Sequence, residues 1–304
     1  MKKSIRLLTI SIAIFLFAIT LMNYVSKNNI QIVKNVSYKY EIKALKIPTY
    51  LAFAGERVPT EKPEVKERMD RELLVNTYWQ SNGLLILKRA HKYFPIIEPL
   101  LKKYGLPDDF KYLAVAESAL LVDNPSSARA SGLWHFLPST AKEKRFGLEV
   151  NKNVDERYNI EKSTKAAAIY LKTAKEKFGS WTLAAASYNA GMGRVSKRLT
   201  DQQVTNYYDA LLPDETERYV LRIVALKEIM SNPEKYGFVF DQEDLYTLKP
   251  TYTITIDKPI ANLASFAKEH GITYKELKRY NPWLRENKLN NKSRKLYKIK
   301  IPKY

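Results

Sequence analysis

The 304-residue chain has no cysteine, which excludes disulfide bridges, thiol nucleophiles, thiolate metal centres and a lipid-modified N-terminal cysteine. Histidine is nearly as scarce. His91, His135 and His270 stand far apart, without the local spacing of a histidine-rich metal site, so neither a metal nor another cofactor is expected. Acidic residues are in deficit, 32 against 51 Lys and Arg, for a formal charge of +19. The excess sits at the ends: residues 1–60 hold 9 basic and 2 acidic side chains, residues 250–304 hold 13 and 4, and the middle holds 29 and 26. Basic ends suit an anionic membrane, nucleic acid or an anionic polymer such as cell wall, or form a plain solvated surface. With 45% hydrophobic and 27% charged residues, the composition is that of a globular protein of one large or two modest domains.

Long apolar runs are absent but for one. Lys2, Lys3 and Arg6 precede an uncharged stretch from Leu7 to Ser26 that is apolar nearly throughout to Met22. A basic start followed by an apolar run is the pattern of a secretory signal, and its length is close to the ~20 residues that span a bilayer. No clean Ala-x-Ala cleavage site follows. Residues 1–26 are therefore expected to be an uncleaved signal anchor with its basic end in the cytoplasm, or a signal peptide if cleaved. The rest of the chain is then exported to the cell envelope, periplasmic and held at the inner membrane by residues 7–22. Residues 27–63 are polar and basic, with Pro48, Pro59 and Pro63, and read as a linker with some local strand.

From 64 to 245 helical patterns dominate. Asp108 and Asp109 can cap a helix from Phe110 to about Leu121. Ser163 or Thr164 can start one that ends at Phe178 before Gly179; Ser180 caps Trp181–Ala190, closed by Gly191; another runs from Thr216 to Met230. Ala-rich stretches at 165–168 and 184–186 let helices approach closely. From 246 to 304 the texture changes. Thr251–Ile256 alternates as a strand, Pro259 opens a helix to His270, Thr273-Tyr274-Lys275-Glu276 is a capping box for a helix to Tyr280, and Leu296–Ile301 reads as a closing strand. The fold class is mainly α, with a small α+β module of strand–helix–helix–strand order at the end.

Glu117 is the one ionisable group between Leu113 and Val122. Desolvation and the negative end of its own helix should both raise its pKa, as a general acid for glycosidic cleavage requires. The bland alternative is a buried carboxylate paired with Arg129, Arg157 or Arg218. Four motifs bear on the choice: Glu117-Ser118, then Ala130-Ser131-Gly132-Leu133-Trp134-His135-Phe136, then Ala186-Ser187-Tyr188-Asn189-Ala190-Gly191, then Glu215-Thr216-Glu217-Arg218-Tyr219-Val220. In this order and spacing they resemble the catalytic domain of lytic transglycosylases, the superfamily that includes goose-type lysozyme, over about residues 75–235. The likeness is to the membrane-bound murein enzymes of the D type, and Asp155-Glu156-Arg157-Tyr158 fits that subgroup too. The stretch from Ile272 to Trp283 is similar to a LysM module, which binds N-acetylglucosamine-containing glycans, although Asp257-Lys258-Pro259 replaces the usual Gly-Asp-Thr turn.

The resemblance implies a lysozyme-like helical fold and cleavage of the bond between N-acetylmuramic acid and N-acetylglucosamine in peptidoglycan glycan strands. Glu117 then matches the single acid/base. It would protonate the linking oxygen and next take the proton of the muramoyl C6 hydroxyl, which attacks C1 to leave a 1,6-anhydro end. The nucleophile is internal, so no second carboxylate is needed. Ser118 matches a residue that hydrogen-bonds near the cleaved sugar, Tyr188 one that holds the catalytic carboxyl, Asn189 one that contacts the acetamido group, and Tyr219 an aromatic lining the site. His135 stands where the family usually has Gln and is expected to line the glycan groove. Two other readings remain. A lysozyme-like muramidase of the same fold would need an activated water, with Asp123 the nearest acid by sequence, and a non-catalytic wall-binding protein would need no Glu117. Nucleic-acid binding is opposed by export and by the near-neutral central region.

Overall fold

The computed structural model describes residues 14–25 and 42–304. Of the expected export signal, residues 1–13 and 26 lie outside the described residues. Residues 14–25 form a helix with exposed side chains, and among the described residues no helix is long and apolar enough to cross a membrane. Residues 45–304 form one compact unit.

That unit opens with a hairpin where the sequence suggested a linker. β1 (Ala52–Phe53) pairs antiparallel with β2 (Glu56–Arg57) across a turn in which Ala54 and Gly55 have φ of 51° and 82°. Gly55 adopts that conformation without a Cβ penalty. Leu51, Phe53 and Val58 are buried in the main core, and the Phe53 ring meets Phe110 edge-on at 5.1 Å. Within the segment 27–63, read as a linker with some local strand, residues 51–58 thus form that strand pair and pack into the core. Strands of two residues are too short for alternation to register in the sequence.

The helices α1 (Pro63–Tyr78), α2 (Gln80–Lys103), α3 (Phe110–Ser118), α4 (Pro138–Ala141), α5 (Ile160–Phe178), α6 (Trp181–Ala190), α7 (Met192–Gln202) and α8 (Asp214–Ser231) follow. α8 is the central post. Tyr219, Val220, Leu221, Ile223, Val224, Ala225 and Leu226 are all buried, and the helix packs on α1, α3, α6 and β1. A helix apolar on nearly every side is a core helix. α5 starts at Ile160 rather than at Ser163, because Asn159 accepts the Lys162 amide at 3.0 Å and caps it. It stops as expected at Gly179, whose φ is 69°. Ser180 caps α6 by accepting from the Leu183 amide, and the buried alanines at 166–168 and 184–186 let α5 and α6 lie close together.

The C-terminal module has β3 (Thr251–Ile256), α9 (Leu263–Glu269), α10 (Tyr274–Tyr280) and β4 (Tyr297–Pro302). β3 and β4 are antiparallel, in register from Thr251 opposite Pro302 to Ile256 opposite Tyr297. The Thr273–Glu276 capping box forms in both directions, whereas α9 begins at Leu263 under an Asn262 cap and not at Pro259. The module's core of Leu263, Phe266, Leu277, Trp283, Ile299 and Ile301 is completed by Val154 and Tyr158 from the helical domain. Asn153 joins the two: its side chain donates to the Lys288 carbonyl at 2.7 Å and accepts the Asn290 amide at 2.8 Å, and its carbonyl accepts the Arg285 amide at 2.9 Å. The whole is mainly α, closed by a docked strand–helix–helix–strand unit.

Candidate active site

α3 ends three residues earlier than its apolar run suggests. Ala119 and Leu120 have φ of 49° and 57°, an unfavourable backbone for residues with a Cβ, and Arg89 Nη1 donates to the Ala119 carbonyl at 3.0 Å. The chain thereby turns back, so that the loop 129–136 returns over the end of α3. Glu117 thus stands in the last turn, its side chain 16% exposed, and faces α8. The Tyr219 hydroxyl donates to its Oε1 in a short hydrogen bond, and His135 Nδ1 lies 3.7 Å from its Oε2. Burial raises the Glu117 carboxyl to about 7; the Tyr219 hydrogen bond and Arg222 oppose that rise and Glu215 adds to it.

The arginine partners that would make Glu117 a structural ion pair are committed elsewhere or do not reach it. Arg157 binds Asp155 at 2.7 Å, Arg218 binds Asp214 and the buried Glu72, and Arg129 makes no ion pair with it. Among the described residues His135 is the only basic group within 4 Å of its carboxylate. Burial holds the His135 imidazole below its ordinary pKa, against a hydrogen bond to the Asn124 backbone, and its Nε2 is buried without a partner among the described residues.

The loop that presents His135 is held carbonyl by carbonyl. Ser118 Oγ donates to the Leu133 carbonyl at 2.9 Å, the Tyr188 hydroxyl to the Trp134 carbonyl at 2.8 Å, and Arg157 Nη1 to the Phe136 carbonyl at 3.0 Å. Trp134 is fully buried and its Nε1 donates to Thr164 Oγ1 at 2.9 Å. Gly132, at φ 77°, packs so tightly on the neighbouring chain that a Cβ there would lie 1.9 Å from the Arg157 carbonyl oxygen.

These bonds redistribute the expected roles. In this structure Tyr219, not Tyr188, holds the Glu117 carboxyl, and Tyr188 and Ser118 bind the loop backbone instead. Asn189 Oδ1 accepts from Thr216 Oγ1 at 2.7 Å, which fixes its amide with Nδ2 as the remaining donor. Glu117, His135, Tyr188 and Tyr219 come together, Asn189 joins them through α8, and Ser118 lies beneath. The sequence reading did not single out Glu215 and Arg222 as neighbours of Glu117. Their spacing of four and three residues from Tyr219 places all three on one face of α8, a signal that was there to use. Asp123, the alternative second acid, is 67% exposed and bound to Arg285 at 3.2 Å.

Comparison with known proteins bears directly on this site. Residues 94–210 match the transglycosylase SLT domain, and residues 252–304 match the soluble lytic transglycosylase C-terminal LysM-like domain. The chain is 30% identical over 238 residues to membrane-bound lytic murein transglycosylase D of Escherichia coli strain K12, covering 76% of this chain and 51% of that one. The same protein from the O6:H1 strain of that species matches with the same figures. The chain spans about half the length of these curated relatives. An inactive mutant of the lytic transglycosylase Slt from Pseudomonas aeruginosa aligns with 51% of this chain and 26% of its own, at 23% identity and a TM-score of 0.38. The chain is thus a two-module protein with an SLT transglycosylase domain and a LysM-like C-terminal domain. It is homologous to the membrane-bound lytic murein transglycosylase D of E. coli.

Proposed function

We propose that this protein is a murein lytic transglycosylase that cleaves the N-acetylmuramic acid–N-acetylglucosamine bond of peptidoglycan and leaves 1,6-anhydro ends. One observation carries the reading: the Glu117 carboxyl, largely buried, raised to about 7 and held by Tyr219, lies beside the 130–136 loop and Tyr188, within the stretch that matches the SLT domain. A group poised near neutrality is protonated often enough to give its proton to the glycosidic oxygen and, once ionised, basic enough to take one back. The C6 hydroxyl of the same muramic residue supplies the nucleophile, and its attachment to the reacting ring supplies the proximity.

Tyr219 fixes the carboxyl and steadies its ionised form between the two proton transfers. Asn189 offers an amide donor to the sugar's acetamido oxygen. The loop pinned by Ser118, Tyr188 and Arg157 positions His135 beside Glu117, and His135 lines the glycan groove in place of Gln. Burial lowers its pKa and so favours the neutral imidazole beside the catalytic carboxyl. Asp123 is exposed and paired with Arg285, so it is not proposed as the base that a hydrolytic muramidase would need to activate water. The N-terminal run 7–22 is proposed to tether the enzyme in the cell envelope.

Mass spectrometry of muropeptides released from purified sacculi tests this. Wild type is expected to give anhydro ends and Glu117→Gln to give none. Products with reducing ends would make the protein a muramidase, and intact sacculi with bound protein would make it a wall-binding protein.

A further inference from the structure

A cleft of about 770 Å³ opens between the helical domain and the C-terminal module, and neither Glu117 nor His135 nor Tyr219 lines it. Its volume is that of sites that enclose small organic ligands. One wall is α2 with the segments 122–123 and 158–161; the other is β3, α10 and β4. Seven lining side chains are Lys or Arg and two are carboxylates. Both carboxylates are already engaged, Asp123 by Arg285 at 3.2 Å and Glu161 by Lys300. Lys92, Lys249, Lys275, Arg279 and Lys298 have no carboxylate within ion-pair distance among the described residues.

Lys92 and Arg279 approach from opposite walls. Burial and the Arg279 guanidinium together hold the Lys92 ammonium below its ordinary pKa, and Arg279 also acts on the Tyr93 phenol next to it. Like charges facing each other across a concave site, one of them half-buried, form a standing demand for an anion. Between the cations the surface is organic: Tyr93, Ile96, Tyr158, Tyr280 and Trp283 face the same space. A ligand that satisfies both features carries carboxylates on a body that packs against rings.

We infer that this cleft binds the carboxylate-bearing peptide that branches from the lactyl group of murein's muramic residues, an inference that rests on the murein reading above. A bilayer surface cannot enter a cleft between two docked modules. A peptide can, and it comes with the glycan. Val122 lies five residues beyond Glu117, at most about 18 Å of extended chain, so a peptide hanging from a muramic residue near Glu117 is within reach of the cleft. The site would read the peptide while the glycan is read elsewhere, and strands with intact carboxylates would be preferred.

The test is calorimetric titration of the full chain with an alanyl-γ-glutamyl-diaminopimelyl peptide acetylated at both of its amines, with its trimethyl ester as the uncharged counterpart, at low and moderate salt. The free acid is expected to bind with salt-sensitive affinity and the ester at least about tenfold more weakly, the scale of one lost charge-assisted contact. Lys92→Ala/Arg279→Ala is expected to weaken the acid by a similar factor, and Lys298→Ala at the exposed rim to weaken it without any risk to folding. Lys142→Ala/Lys144→Ala, outside the cleft, serves as the control and is expected to bind as wild type. Equal binding of acid and ester, no binding by wild type, or indifference to the cleft variants would overturn the inference. So would capture of phosphatidylglycerol vesicles through Lys92 and Arg279 without peptide binding. Sacculus digestion separates the two readings: a chain that cleaves but ignores the peptide loses the cleft alone, and one that binds the peptide but never cleaves loses the enzyme alone.

Discussion

Glu117 owes its chemistry to a balance of opposing terms, and each can be removed in turn. Desolvation lifts its pKa, and the Tyr219 hydroxyl, which stabilises the charged form, pulls it down. Tyr219→Phe deletes the lowering contribution, so the carboxyl's pKa rises further. In the proposed role of general acid Glu117 must be protonated, and activity is then expected to fall as pH rises through its pKa. The alkaline limb of the kcat/KM–pH profile is therefore expected to move to higher pH in Tyr219→Phe, with about a tenfold loss at the optimum for the lost positioning. A limb that stays in place would mean that another group governs it. Glu117 stands out in the sequence as a lone carboxyl in an apolar helical turn, but that alone left a buried ion pair open, and the four motifs around it carried the choice. The assignments of Ser118 and Tyr188 were less readable, because which carbonyl a hydroxyl finds depends on a loop that returns from the neighbourhood of α5.

At the scale of elements, capping decided what was legible. Ser180, Gly179, Gly191 and the Thr273–Glu276 box announce their helix ends in the sequence, and the structure places α6 and α10 accordingly. Asn159 was missed because Ile160-Glu161-Lys162 reads as polar loop. The sequence suggested some local strand before Pro63 but not its role, which is tertiary: Glu56 of β2 reaches α6 and accepts the amides of Trp181 and Thr182 at 2.6 and 2.9 Å and the hydroxyls of Ser180 and Thr182 at 2.7 and 2.6 Å. A carboxylate at a helix N-terminus is stabilising, and this one serves the helix that carries Tyr188 and Asn189. Burial works to raise the Glu56 pKa, but these hydrogen bonds outweigh it and the net shift is downward. Its stabilisation is thus fully present above the unfolded carboxylate's pKa and is lost as pH falls through the lower folded value. Glu56→Gln is expected to unfold at lower temperature than wild type at pH 7, by about 1–2 kcal/mol of stability. The gap should narrow in thermal melts as pH falls below the ordinary carboxylate range and close only beneath the lowered folded value, where the wild-type carboxylate is also protonated.

At the scale of the whole molecule, the C-terminal module is fastened to the helical domain by bonds that the sequence could only suggest. Asn153 ties Lys288, Asn290 and Arg285, and Lys295 and Tyr297 both bind Glu149 at 2.7 Å. Asn153→Ala removes the part-buried bonds to the Lys288 carbonyl and the Asn290 amide, at about 0.5–1.5 kcal/mol each. It is expected to loosen the module before it unfolds the enzyme. Limited proteolysis should then cut faster around 245–250, while the helical domain's melting changes little; a single cooperative loss of both would mean that they fold as one. The Ala-rich contact of α5 with α6 was foreseeable from composition, but the direction in which the module docks was not, since Val154 and Tyr158 look like ordinary residues of the helical domain.

The buried hairpin also limits how the enzyme can be detached from whatever precedes it. Phe53 fills the core against Phe110 and Glu56 closes the start of α6, so the folded body begins near Leu45 and not at the first helix. A protease that trimmed the chain before Leu45 would set free an intact enzyme. One that cut at 60 would remove a large aromatic, worth about 3–5 kcal/mol in a core, along with the cap of the helix bearing Tyr188 and Asn189. Shedding and inactivation are in this way separated by about fifteen residues of chain, and the position of a single cut decides between them.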